Sequence, residues 1–207
     1  MSEPFRWKRK GCLLQRIRRR GCLDKNGGSV DIVSGMMLFC ILVVTIFFAF
    51  RMTQYMITAA GVEDALAASN LASAVIDVEE YGKTHQIRIA DGERAFQIYR
   101  DALQSNMKLD QELYSTNNDF VLGQVQIKEY IVYNVCGEEV AIQAYDGNGV
   151  LVLEVLGRKG EIFTPDRICV ENTTIYSRIG FQVPGLAGHT ITGEKEKSID
   201  IARWNSD

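Results

Sequence analysis

The chain has 207 residues, 46% of them hydrophobic, and a formal net charge of -3, which suits one folded domain plus a tether. The near-neutral total hides two opposite parts: residues 1–28 carry nine Lys/Arg against Glu3 and Asp24, or +7, while the remainder carries fourteen Lys/Arg and twenty-four acids, or -10. An acidic body argues against a nucleic-acid or phosphate surface there, and an apolar run beside the basic leader already accounts for its charge, so no nucleic-acid partner is expected.

That run, Ile32 to Phe50, is nineteen residues without a charge. As a helix it rises roughly 28 Å, about the hydrocarbon thickness of a bilayer. The positive-inside bias places the leader in the cytoplasm and everything after Arg51 on the far side of a cell membrane, as a single-pass protein. A secretory signal has a shorter core, about 7–15 residues, followed by a small-residue cleavage site. Here Arg51-Met52-Thr53-Gln54-Tyr55 follows, without an A-x-A pattern, so the run reads as a retained anchor.

Just before the run stands Lys25-Asn26-Gly27-Gly28-Ser29-Val30-Asp31. An acid so close to hydrocarbon calls for an explanation. One reading makes Asp31 the N-cap of the span, favoured by the helix dipole. The other makes Gly27 or Gly28 the end of a leader that a peptidase removes. A basic leader, glycine, small residues, an acid and an unbroken apolar helix together resemble a type IV pilin-like segment. The nearest likeness is to the TadE-like pseudopilins of tight-adherence (Tad/Flp) pilus systems of Gram-positive type, supported more loosely by the late stretches TTIYSRIGFQVPG and KSIDI. The resemblance implies processing by a prepilin peptidase and assembly with other pilin-like subunits and their machinery. It implies too that Asp31 pairs with the free amine of a neighbouring subunit. The family places Glu at the fifth mature position, whereas cleavage after Gly27 or Gly28 makes Asp31 fourth or third.

Beyond the span, Met56 to Gly82 stays Ala-rich and free of proline, which predicts a single helix over about Ser29–Tyr81 stopped by Gly82. Val62, Leu66, Leu71, Val75 and Val78 supply its apolar stripe, and Glu63, Asp64, Asn70 and Asp77 its wet face. The small residues Ala59, Ala60, Gly61, Ala65, Ala68 and Ser69 would allow close helix approach. A shorter helix follows from Asp91 or Gly92 to Met107, with Phe96, Tyr99 and Leu103 at helical spacing. Strands follow at Val125–Val135, on either side of the Asp146-Gly147-Asn148-Gly149 turn, at Thr173–Val183 and at Ser198–Trp204. Pro184–Lys197 reads as an exposed loop. The expected fold is α+β: a leader 1–28, a long helix 29–82 with its transmembrane part at 32–50, and an outside domain 83–207 with a mainly antiparallel sheet.

No catalytic constellation emerges. His85 and His189 read as solvated loop residues, and HExxH, GxSxG, P-loop and GxGxxG motifs are absent. Glu79 and Glu80 face different ways on a helix, and Asp146 suits a turn better than a metal site because no calcium-loop Glu follows at the right spacing. No enzyme, cofactor or metal is expected. Cys12 and Cys22 stay reduced in the cytosol, and Cys40 packs within the span. Outside the membrane a Cys136–Cys169 disulfide is permitted, the alternative being two buried thiols. Two functions remain: a structural, pilin-like pseudopilin or minor pilin, or an uncleaved, signal-anchored module that binds a ligand through its sheet.

Overall fold

A computed structural model describes residues 27–117, 121–185 and 189–201. The basic leader through Asn26, with Cys12 and Cys22, lies outside the described residues, as does the end of the last predicted strand, Ala202–Trp204. The chain divides into two compact units at Thr53/Gln54. The fold class is α+β. The elements are α1 (Gly27–Ser73), α2 (Val78–Thr84), α3 (Gly92–Met107), β1 (Leu122–Cys136), β2 (Glu139–Tyr145), β3 (Leu151–Arg158), β4 (Thr173–Pro184) and β5 (Thr190–Ile201). The strands form one sheet in the order β3-β2-β1-β4-β5, antiparallel throughout.

In the unit from Gln54 onward, both faces of the sheet are covered near its centre. One face meets α3 and the last turns of α1, burying Val125, Tyr130, Val132, Ile175 and Ile179 with Phe96, Tyr99 and Leu103. The other meets the connection from β3 to β4, whose Ile162 and Val170 pack on Ile131, Tyr133 and Tyr176. Double coverage explains why residues 130–134 of β1 are all buried and why residues 130–133 read as an unbroken apolar run rather than an alternation. Gly149 closes the β2–β3 turn at φ +82°, and a Cβ there would collide with the Phe96 ring. It therefore serves both the turn and the core. Asp146 accepts from the backbone N–H groups of Asn148 and Val150, each at 2.9 Å.

The long helix ends earlier than its composition predicts. It stops at Ser73, not Tyr81, because the next residues turn to pair: Ile76 bridges Ile89, and Asp77 N–H donates to the Arg88 carbonyl at 2.8 Å. Asp77 is no wet-face residue of that helix. Its carboxylate N-caps α2, accepting from Glu80 N–H at 3.0 Å, the first half of a capping box. Gly82 lies within α2, which ends at His85 in the left-handed region, φ 57°. Leu71 and Val78 are exposed, at 62% and 78%, so they belong to no buried stripe.

The buried stripe of α1 is instead Val62, Ala65, Leu66, Ser69, Asn70 and Ser73, spaced 3, 1, 3, 1 and 3 as a helix face requires. Its second half is polar, and every member is bonded. Asn70 donates to the Lys197 carbonyl at 2.9 Å and accepts from the Ser177 hydroxyl at 2.7 Å. Ser69 donates to the Ala65 carbonyl and accepts from Asn106, and Ser73 accepts from the Tyr130 hydroxyl at 2.9 Å. Burial holds the Tyr130 hydroxyl well above its usual range, despite that bond to Ser73.

The predicted loop Pro184–Lys197 is mostly strand. β5 begins at Thr190 and pairs residue for residue with β4 as far as Thr173↔Ile201, and a twelve-residue ladder overrides the weak strand propensity of Gly, Glu and Lys. Its charges alternate because its faces meet different partners. Lys195 and Lys197 reach Glu63 of α1 at 2.9 and 2.8 Å, and Glu196 accepts from the Tyr176 hydroxyl at 2.8 Å.

Replacing Asn70 with Ala strands the Ser177 hydroxyl and the Lys197 carbonyl, and we expect a loss of about 2–4 kcal/mol in a denaturant melt; a change below about 0.5 kcal/mol would show that the stripe is held by its apolar members alone. The bonds from Lys197 and Lys195 hold Glu63 down, to a pKa of about 2 from 4.5. A depressed acid stabilises above its unfolded pKa and loses that contribution as pH falls. Glu63→Gln is thus expected to be destabilised by only about 1 kcal/mol at pH 7, because the cluster is a third exposed, with the difference from wild type vanishing between pH 4.5 and about 2. A difference that persists at pH 2 would assign it to packing instead.

Candidate functional site

The unit ending at Thr53 consists, among the described residues, of the first part of α1. Ile32 to Phe50 are exposed side chain by side chain, with Phe39, Phe47, Phe48 and Phe50 among them. The most apolar window of this helix has a mean hydropathy of 2.7 and none of it is buried. The three hydroxyl side chains between Asp31 and Gln54 are satisfied within the helix: Ser34 donates to the Asp31 carbonyl at 3.0 Å, Thr45 to Ile41 at 2.8 Å and Thr53 to Ala49 at 3.0 Å. Polar groups hidden in this way suit a segment that leaves water. Arg51, the first charge after the run, sits 5.4 Å from the centroid of the Phe47 ring, a cation–π distance. The helix is long and apolar enough to cross a membrane, and as the one such helix among the described residues it is compatible with a single-pass anchor.

Asp31 is not the N-cap. The described helix already includes Gly27 and Gly28, one turn before Asp31, whose side chain is exposed. A glycine pair in a helix costs about 1 kcal/mol per residue relative to Ala.

Of the other residues singled out by sequence, Cys136, Cys169, His85 and His189 belong to the second unit. Cys136 and Cys169 are half-buried and unbridged in this structure, and Cys40 is an exposed thiol on the apolar run. His85 stacks edge-on against Tyr81 at 6.0 Å, and both histidines are exposed. Among the described residues no three His, Cys, Asp or Glu side chains group as metal ligands. A surface cleft of about 250 Å³ is lined by His85, Lys159, Glu171 and Asn172 at one end of the sheet. Another, of about 370 Å³, is lined by Arg178, Glu194, Lys195 and Glu196. The first is of mixed lining, with Ile87, Val135 and Ile201 beside its polar residues, and the second is charged; both are open surface features, unlike the concave, mostly apolar cavities that hold small ligands. Hydropathy alone misses the polar stripe Ser69, Asn70 and Ser73; their spacing in register with Val62 and Leu66 is the signal that could have found it. No family model, no curated protein and no solved structure matches this chain.

Proposed function

We propose that the chain is a membrane-anchored, pilin-like subunit of a Tad/Flp-type surface pilus or secretion apparatus, with a structural role in assembly. One observation carries this reading: a single helix, Gly27–Ser73, is uncharged, mainly apolar and exposed over Ile32–Phe50 yet contributes Val62, Leu66 and Asn70 to the core of the following domain. A plain tether has no need to be a structural part of the domain it holds. A subunit that packs its apolar helix among others gains from a helix that continues into the core of its domain.

In this reading residues 1–28 are a cytoplasmic leader, and a prepilin peptidase cuts after Gly27 or Gly28. The new amine then meets Asp31 of a neighbouring subunit. Its exposed position inside the helix, rather than at a cap, leaves the carboxylate available for that pairing. The outside domain is extracytoplasmic, and its acidic surface makes nucleic acid an unsuitable partner.

Two measurements test the proposal. Val43→Arg with Val44→Arg adds roughly 5–7 kcal/mol to membrane insertion, and we expect the doubly substituted chain to leave the carbonate-washed membrane fraction; unchanged retention would mean that another feature holds the protein there. Intact mass and N-terminal sequence of the protein from its native membrane should show a start at Gly28 or Ser29, abolished by replacing both glycines with Leu. A leader retained in wild type, in cells with an active prepilin peptidase, would sink the pilin reading and leave a signal-anchored binding module.

A further inference from the structure

The two edges of the sheet are finished differently. β5 presents Glu194, Lys195, Glu196 and Lys197, charges of the kind that discourage a further strand. β3, at the other edge, carries Leu151, Val152, Leu153, Val155 and Leu156, all exposed, with Leu156 at 72%. Alternate residues point to opposite faces, so this edge is apolar above and below. An exposed apolar edge is a template for another strand, and what pairs with it must be apolar on both faces as well. β3 is itself such a strand. In β1, β2 and β4 the large apolar side chains are buried or half-buried in the two cores.

Symmetry and charge select the register. Two copies of one strand, antiparallel about a two-fold axis, place same-face residues opposite one another. A bulge between the Ala144 and Tyr145 pairings confines the regular run of β3 to Leu153–Arg158. Within it Glu154, Leu156 and Arg158 share a face. An axis at Leu156 sets Leu156 against its own copy and each Glu154 against the other copy's Arg158, whereas an axis at Glu154 would oppose two carboxylates. Both charges are free to adapt: Arg158 makes only a long 3.9 Å pair with exposed Glu161, and Glu154 accepts from Gln143 at 2.9 Å, an exposed bond that facing guanidinium can share. Such a pairing buries on the order of 1,000 Å² in total, the lower end for a specific interface, so it is reversible.

We propose that β3 pairs antiparallel with β3 of a second copy of this chain, about a two-fold axis at Leu156, joining the two sheets into one. The inference concerns the folded domain and does not rest on the membrane or pilin reading. Hydrogen–deuterium exchange on the full chain in detergent, over a concentration series, tests it. The amides of Leu153–Arg158 should gain protection as concentration rises while those of β5 do not. Glu154→Arg or Arg158→Glu alone should weaken the association roughly tenfold, by turning two facing pairs repulsive, and the double exchange should restore it. Protection of β3 that is independent of concentration overturns the proposal, as does failure of the double exchange to rescue. Oligomers that leave β3 unprotected would assign association to the apolar helix, and protection appearing only with added lipid vesicles would assign this edge to lipid; either result also overturns it.

Discussion

The domain depends on how one helix face meets the sheet. Val62 and Leu66 begin that contact as apolar burial, and Ser69, Asn70 and Ser73 finish it as hydrogen bonds. The change matters because apolar contacts tolerate sliding, whereas a side-chain amide bonded to both Ser177 and the Lys197 carbonyl fixes one rotation and one height of the helix. Glu63, between Lys195 and Lys197, adds a weaker constraint at the rim. The result is a helix whose position is specified by donors and acceptors more than by volume.

Sequence made the architecture legible where local chemistry and tertiary context agree. Asp91 caps α3 and Met107 ends it as the spacing of Phe96, Tyr99 and Leu103 implies. The Asp146–Gly149 turn declares its hairpin because positive φ selects glycine there. Sequence misled where context decided. Ala-rich composition carries a helix through residues 74–77, but a bridge between Ile76 and Ile89 stops it. Asn70 looks like a surface residue because its two partners lie more than a hundred residues away. The Glu-Lys alternation of β5 looks like a loop until a partner strand is supplied. The apolar span was plain from composition. The inclusion of Gly27 and Gly28 in the helix ahead of Asp31 was not, because glycine is a poor helix former.

The sheet is covered unevenly, and this separates its tasks. Its centre is closed on both faces, by helices on one and by the Ile162–Val170 connection on the other. Asn134 extends that closure by bonding both backbone groups of Ile89, as a strand neighbour would. Stability therefore resides in β1 and β4, and β2 passes the sheet outward to β3, whose side chains contribute little to either core. A strand that the core does not need is free to carry apolar residues for another purpose.

The bonds of Asn70 also set an order of events. They join the first long helix of the chain to its last described strand, across 107 and 127 residues. A chain that emerges N-terminus first has its helix available early, but the polar half of the buried stripe waits until β4 and β5 have appeared. Contacts this distant in sequence slow folding, since the loop must close before they reward it. In the interval Asn70, Ser69 and Ser73 are hydrated rather than sticky. A wholly apolar face would spend the same interval exposed to every other unfinished chain nearby, so the serines and the asparagine protect the nascent protein before they hold the finished one.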